Sequence, residues 1–168
     1  RADGSLDGRI ITGNGDVTLK NLYITGRSDQ NAQTSYQPIQ MDANNSTFII
    51  DNCVIERSNF ALIAWTGKNN KIFVTNNKFR NLVGQPSTQQ WEGRGISIWA
   101  DADTVIVENN TFFNVHFTPF QLEGGAGKYI RFNHNTLVNI GRQVNQASWL
   151  REAYFTNTLI VNGFWQGE

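Results

Sequence analysis

A segment of about ten residues recurs along the chain, and this repeat limits the possible folds more than any other feature of the sequence. Each copy has β-branched or aromatic residues, then a pair of residues rich in asparagine, then further apolar residues. The clearest copies are residues 73–82, 106–115 and 130–140. The register asparagines recur at spacings of roughly 22–33 residues, which is typical of a solenoid; they are Asn21, Asn52, Asn77, Asn110, Asn135 and Asn157.

Apolar and polar positions alternate within each copy, as expected for β-strands that bury one face. Nine leucines are too few for a leucine-rich repeat, and no helical period is present. Two columns of the aligned copies are apolar, and we expect both to point inward: Ile49, Val74, Val107 and Phe132, then Val54, Phe79, Phe112, Leu137 and Leu159. Asparagine suits a corner, because it tolerates left-handed backbone and stacked carboxamides hydrogen-bond between coils. We therefore expect one corner to carry a ladder of Asn52, Asn77, Asn110 and Asn135.

In these repeated units, for example residues 110–115, the chain resembles the right-handed parallel β-helix of the pectate-lyase-like superfamily, over roughly residues 10–162. The resemblance implies an all-β fold, a single-stranded right-handed parallel β-helix of about six coils. It implies one solenoid domain over residues 1–168. Many secreted and cell-surface proteins carry this generic repeat, so the resemblance also implies an extracellular or cell-surface location.

The charges of the chain balance, because 14 Lys and Arg residues offset 14 Asp and Glu residues. A nucleic-acid or anionic-membrane partner would favour a basic excess, so we expect neither. No apolar run reaches the ~18 residues that predict a membrane span. No amphipathic helix is evident that could cover an end of the solenoid. We therefore expect a piece of a longer chain, or ends that contact further coils or another subunit.

A second strand precedes each register strand, and it defines an inner and an outer face. Its inward pairs are predicted to be Ile39/Met41, Leu62/Ala64, Ile96/Ile98 and Phe120/Leu122. The outward column that follows them is predicted to be Asp42, Trp65, Trp99, Glu123 and Arg151.

The two tryptophans of this column have no core to fill. They either pack under a loop or form a platform on which sugar rings stack, since the apolar faces of sugars suit an indole. Insertions at residues 26–36, 83–93 and 141–147 fall just before this strand, and such loops often carry function. They bring Tyr36, Trp91 and Arg142 to the same side. The predicted polysaccharide-binding residues are Tyr36, Asp42, Trp65, Trp91, Trp99, Gln121 and Glu123.

Catalysis has less support in the sequence than binding. Glu92 with Arg94, or Glu123 with Arg151, could place an acid beside a base, but surface ion pairing explains either pair equally well. Asp42 and Glu123 are three coils apart, about 14 Å, beyond the ~5–9.5 Å of glycosidase carboxylate pairs. The motifs of polygalacturonases, pectate lyases and chondroitinase B-like lyases are missing from the chain.

No cofactor is expected from the sequence. Asp101 and Asp103 could share a Ca²⁺ ion, but two carboxylates are few for a cation that takes about 6–8 oxygens, and turn formation explains both residues. Three functional hypotheses remain. The first is an extracellular β-helix that binds, and could process, a polysaccharide. The second is a structural or adhesive rod module of a larger surface protein. The third is a fragment of a polysaccharide lyase whose catalytic coils lie elsewhere.

Overall fold

The computed structural model describes residues 8–26, 37–83, 93–147 and 149–163, and all regular structure in these residues is β-strand. The strands follow one another in six coils of three strands each. In chain order they are β1 (Ile11–Gly13), β2 (Val17–Lys20) and β3 (Tyr23–Thr25); β4 (Ile39–Met41), β5 (Thr47–Asp51) and β6 (Val54–Glu56); β7 (Phe60–Ala64), β8 (Asn70–Thr75) and β9 (Lys78–Leu82); β10 (Arg94–Ile98), β11 (Ala102–Glu108) and β12 (Thr111–Val115); β13 (Thr118–Leu122), β14 (Gly127–Asn133) and β15 (Thr136–Ile140); β16 (Asn145–Ala147), β17 (Leu150–Thr156) and β18 (Leu159–Gly163).

Corresponding strands of successive coils pair in parallel and form three six-stranded sheets. Sheet A contains β1, β4, β7, β10, β13 and β16; sheet B contains β2, β5, β8, β11, β14 and β17; sheet C contains β3, β6, β9, β12, β15 and β18. A chain that visits three parallel sheets in turn, once per coil, is a parallel β-helix. The predicted all-β solenoid of about six coils is confirmed.

The interior is filled by columns of apolar side chains that stack from coil to coil. Phe79 and Phe112 stack with ring centroids 4.7 Å apart and planes 9° from parallel, and Phe132 continues the stack at 6.2 Å. All three rings are fully buried. The predicted inward pairs of sheet A are buried as well, so alternation identified the inner face correctly; they are Ile39, Met41, Leu62, Ala64, Ile96, Ile98, Phe120 and Leu122.

Asparagines occupy two neighbouring columns at the corner between sheets B and C, and each column has its own role. The first column is exposed or partly exposed and adopts left-handed backbone, with φ between 47° and 58°; it comprises Asn21, Asn52, Asn76, Asn109, His134 and Asn157. The second column is buried and forms the hydrogen-bonded ladder. In it, Asn77 Nδ2 donates to Asn110 Oδ1 at 3.0 Å, and Asn110 Nδ2 donates to Asn135 Oδ1 at 3.1 Å.

The predicted ladder is therefore wrong at Asn52, which belongs to the left-handed column. Cys53 takes the ladder position in that coil, and its backbone N–H donates to Asn77 Oδ1 at 2.8 Å. For the same reason, the predicted inward columns are wrong by one residue at three positions. The buried columns contain Ile50 in place of Ile49 and Ile55 in place of Val54, and the last coil aligns Ile160 in place of Leu159.

The last coil exposes side chains that its neighbours bury. Phe155 pairs with Phe132 and Ile160 pairs with Leu137, yet Phe155 is 42% exposed and Ile160 is 47% exposed, whereas Phe132 and Leu137 are fully buried. The first coil is better covered, since Ile24 is buried and Leu19 packs against the core. Residues 1–7 and 164–168, next to the first and the last coil, lie outside the described residues.

Candidate functional site

Sheet A brings the predicted outward column together on one face. Asp42, Trp65, Trp99 and Glu123 directly follow β4, β7, β10 and β13, whose last residues pair in register. The four side chains therefore belong to coils two to five in that order. Two residues earlier on each strand, on the same side of the sheet, lies a second column, which is mostly polar: Gln40, Ile63, Ser97, Gln121 and Gln146. We call the face formed by Gln40, Asp42, Trp65, Trp99, Gln121 and Glu123 the tryptophan face.

Arg151 does not belong to this face, and that prediction is wrong. Residues 145–147 form the sheet A strand of the last coil, with Gln146 beside Gln121. Arg151 lies in β17, on sheet B. The error has a physical reason: β16 is polar, and the apolar residues typical of a sheet A strand occur after it, at Trp149 and Leu150. The predicted acid–base pair of Glu123 and Arg151 is not formed.

The two indoles of the tryptophan face pack against each other across adjacent coils. Their ring centroids are 5.2 Å apart and their planes are tilted by 33°. Trp65 is 50% exposed, whereas Trp99 is partly buried. Trp99 thus supports Trp65 from one side and leaves an indole surface open to a ligand.

Two buried polar atoms beside the indole rings have no hydrogen-bond partner among the residues that the structure describes. They are Trp99 Nε1 and Ser97 Oγ. Ser97 has no exposed surface at all, although it points to the outer side of sheet A. A buried donor without an acceptor is costly, so such groups in a native protein often mark a place where water or a ligand binds.

A buried arginine, Arg94, contacts the residues at the Glu123 end of the face. The Arg94 guanidinium lies 4.7 Å from the ring centre of Phe117 and 5.4 Å from that of Phe60. It donates to Gln121 Oε1, and its Nη1 is 3.7 Å from Glu123 Oε2. Gln121 Nε2 also donates to Glu123. The acid nearest Arg94 in the described part of the chain is therefore Glu123, while the other predicted partner, Glu92, lies outside that part.

A similar contact between an amide and a carboxylate is formed at the Asp42 end of the face. Gln40 Nε2 donates to Asp42 Oδ2, and the backbone N–H of Thr66 donates to Asp42 Oδ1 at 3.1 Å. Gln37 Nε2 in turn donates to Gln40 Oε1. Each carboxylate of the face is thus oriented by a glutamine two residues earlier on the same strand.

A cleft of about 390 Å³ opens beside Trp65. Its lining combines an apolar floor with polar groups at the mouth. The lining residues are Arg9, Gln37, Gln40, Phe60, Ile63 and Trp65. Four of these residues, Arg9, Gln37, Phe60 and Ile63, do not belong to the face predicted from the sequence. The aligned repeats do indicate a position for Phe60, because it is the partner in β7 of Arg94 in β10.

Of the remaining residues predicted on the inserted loops, the structure describes only one. Tyr36 and Trp91 lie outside the described residues, like Glu92. Arg142 lies over Phe117, with its guanidinium 5.3 Å from the ring centre.

Asp101 and Asp103, the calcium candidates, hold different partners. Asp101 Oδ1 accepts from the backbone N–H of Ala126 at 2.8 Å, whereas Asp103 pairs with Lys128 at 3.0 Å. The hydrogen bond from Lys128 lowers the pKa of Asp103. Within the described ranges, no three His, Cys, Asp or Glu residues come close enough to hold a metal ion. The turn expected at Asp103 is wrong, because Asp103 lies within β11 and forms an ion pair there, whereas Asp101 accepts a backbone hydrogen bond just before that strand.

Comparison with known proteins gives one match. A family model described as "Right handed beta helix region" matches residues 7–163. No curated protein and no solved structure matches the chain. In the described residues, no helix is long and apolar enough to cross a membrane.

Proposed function

The chain belongs to the right-handed β-helix family, and from this premise we propose that it is a carbohydrate-associated module that binds a polysaccharide along the tryptophan face. The observation that carries the proposal is the pair of packed indoles, one of them half exposed, on the outer side of sheet A. An extracellular or cell-surface location belongs to the same proposal, because structural polysaccharides lie outside cells. The proposed binding needs no cofactor.

The indoles supply affinity, and the polar groups around them supply orientation. A stacked aromatic contact contributes about 0.5–1.5 kcal/mol beyond the area it buries, so one stacked sugar gives weak binding. Useful affinity then needs contacts along several coils, which a chain-like ligand provides. The face extends over four coils, from Asp42 to Glu123.

The carboxylates at the two ends of the face accept hydrogen bonds from sugar hydroxyls. Gln40 and Gln121 hold them in place, so little side-chain freedom is lost on binding. Asp42 and Glu123 are three coil steps apart, about 14 Å, which favours binding over hydrolysis by a carboxylate pair.

Affinity electrophoresis through a panel of immobilised polysaccharides tests the proposal. We expect at least one neutral or weakly acidic polymer to retard the wild-type protein, and the Trp65→Ala/Trp99→Ala double variant to lose that retardation. Trp149→Ala is the matched control, because Trp149 is 78% exposed and directly precedes β17 of sheet B, outside the tryptophan face. Equal retardation of the wild type and the double variant, or none on any polymer, would exclude the tryptophan face as the site.

Processing of the polymer is a separate outcome of the same experiment. Incubation with the panel is followed by assays for reducing ends and for unsaturated ends. Binding without new chain ends supports a binding module. New ends that disappear in Glu123→Gln would make the protein a polysaccharide-cleaving enzyme, with Glu123 and Arg94 at its reacting centre.

A structural rod that associates end to end is the second candidate. The observation that favours it is the exposed last coil, where Phe155 and Ile160 remain open to solvent. Strands at an open edge of a sheet pair readily with other strands. In this case the tryptophan face has no ligand, and polymer binding is absent while self-association is present.

A further inference from the structure

The cleft beside Trp65 differs from a flat stacking platform because it has depth. Its volume of about 390 Å³ is at the lower end of the range for small-molecule sites, roughly 300–1,000 Å³. Trp65 forms one wall, and Trp99 holds that indole in place from the next coil. Because Trp65 lines the cleft, a sugar ring that stacks on this indole can direct a substituent into it.

The floor of the cleft accepts only an apolar group. It is formed by Phe60 and Ile63, both almost fully buried. Ile63 is the exception in its column, since the aligned positions in neighbouring coils are Gln40 and Ser97. A hydroxyl directed at this floor would leave water without gaining a hydrogen bond, which is unfavourable. A methyl group would gain from burial instead.

The mouth of the cleft carries amide groups. Gln37 Nε2 donates to Gln40 Oε1, and Gln40 Nε2 donates to Asp42. Gln40 is almost fully buried, so the amide left for a ligand is that of the partly exposed Gln37, through its Oε1 and its second hydrogen. A carboxamide offers both a donor and an acceptor, so it complements another amide better than it complements an ester, which only accepts.

These features together define one substituent: a methyl group attached to an amide. Resting on the function proposed above, we propose that this cleft takes the acetamido group of a 2-acetamido sugar, so that the polysaccharide contains N-acetylhexosamine units. The methyl group lies on Phe60 and Ile63, the amide faces Gln37, and the pyranose ring stacks on Trp65. Arg9 at the mouth disfavours the de-acetylated sugar, whose ammonium group would meet a like charge.

Matched hexasaccharides test this inference, because they differ only at carbon 2 of each ring. Isothermal titration compares the β-1,4-linked hexamers of N-acetylglucosamine, glucose and glucosamine. We expect the acetylated hexamer to bind at least about tenfold more tightly than either of the others, as is usual for one small apolar group in an apolar pocket. A hexuronate is included to measure any attraction of Arg9 for carboxylates.

Two variants connect the preference to the cleft. Ile63→Gln makes the floor polar and suits its column, where Gln40 and Gln121 already occur, so we expect folding with the preference reduced to about twofold or less. Ile63→Val keeps the floor apolar and is expected to retain the preference. Gln37→Ala removes the exposed part of the amide rim and is expected to weaken only the acetylated ligand, so the inference remains testable if Ile63→Gln does not fold.

The outcomes separate this inference from the function on which it rests. If the glucose or uronate hexamer binds as tightly as the acetylated one, or if Ile63→Gln keeps the preference, the acetamido assignment is wrong and polysaccharide binding stands. If no hexamer binds, the assignment is also wrong. If, in addition, no polysaccharide retards the wild-type protein in affinity electrophoresis, the proposed function is wrong as well.

Discussion

At the scale of single residues, asparagine performs two different tasks in this chain. Asn109 is exposed and adopts left-handed backbone with φ of 55°, a conformation that costs most other residues about 1–2 kcal/mol. Asn110, its neighbour, is buried and connects three coils through its carboxamide. Asn109 adopts the left-handed backbone that the corner between the sheets requires, and Asn110 forms hydrogen bonds with the backbone groups that are buried there.

The hydrogen bonds of the buried Asn110 are expected to contribute more to stability than the left-handed conformation of Asn109. Asn110 Oδ1 accepts from the backbone N–H of Asn77 at 2.9 Å, and Asn110 Nδ2 donates to the carbonyl of Val74 at 2.8 Å. Asn110→Ala leaves these groups buried without partners, at about 1–3 kcal/mol for each, so we expect the free energy of unfolding to fall by about 3 kcal/mol or more. Urea denaturation measures it. Asn109→Gly, which keeps left-handed backbone accessible, is the control and should cost less than about 1 kcal/mol.

A buried carboxylate on sheet C gives a pH-dependent prediction. Burial alone would raise the pKa of Glu56, but hydrogen bonds from Tyr23 and Arg80, together with the charges of Arg80 and Arg57, outweigh it and hold the pKa below the ordinary value of 4.5. A carboxyl group whose pKa is lowered by folding stabilises the native state above its unfolded pKa. Its contribution is lost as the pH falls below about 4.5, through the lower pKa of the folded state.

We therefore expect Glu56→Gln to be less stable than the wild type at pH 7 and to respond less to acid. Chemical denaturation at a series of pH values between about 7 and 3 measures the difference. The gap between the two proteins should narrow below about pH 4.5. Asp51 retains its own acid dependence in both proteins, because hydrogen bonds from Asn76 and Thr75 lower the pKa of that carboxyl. A gap that stays constant with pH would show that Glu56 is not ionised in its contacts.

At the scale of the strands, stability depends on side chains that stack between coils. Phe112 lies in β12, fully buried between Phe79 and Phe132. Phe112→Ala leaves a cavity in the middle of the stack, and we expect a loss of about 3–5 kcal/mol, measured by thermal or chemical unfolding. Phe113→Ala is the matched control, since Phe113 lies on the outer side of the same strand and is 39% exposed. Similar losses for both variants would contradict the inward stack.

The sequence predicted the strand period well, because alternation reports directly on which side chains are buried. It located the inward pairs of sheet A and the stacked rings of Phe79 and Phe112, but not Phe132 as the third ring, because Phe132 belongs to the other predicted inward column. It misplaced Asn52 because two adjacent columns of the corner both favour asparagine, for different reasons. Where a coil keeps only one of the two asparagines, as at Asn52 with Cys53 beside it, the sequence does not distinguish the left-handed column from the ladder.

The candidate site was predictable only in part. The outward positions of Trp65 and Trp99 follow from the strand period. The contacts that organise the face do not, because they depend on side chains brought together from different coils. Arg94, for example, reaches Gln121 on the next coil and lies between Phe60 and Phe117. Arg151 was misplaced because the polar strand β16 gives no apolar signal.

At the scale of the whole molecule, the open last coil predicts self-association. Ile160 is 47% exposed at a position that earlier coils bury. We expect sedimentation velocity to show oligomers whose population rises with protein concentration, and Ile160→Asp to shift the equilibrium toward the monomer. Phe113→Asp adds a charge at a similarly exposed position on β12, away from the end, and should leave association unchanged. A monomer at all concentrations would contradict this prediction and count against the rod.

The most direct measurement of polysaccharide binding is a nuclear magnetic resonance titration of the five tryptophan indole N–H groups, assigned with Trp65→Phe and Trp99→Phe. The labelled protein is titrated with soluble oligosaccharides drawn from the same polysaccharide panel. If a polysaccharide binds the tryptophan face, the indole signals of Trp65 and Trp99 shift together and saturably, while that of Trp149 stays in place. Saturable shifts at Trp149 alone, or no saturable shift at Trp65 and Trp99 with any oligosaccharide, would contradict a polysaccharide site on this face.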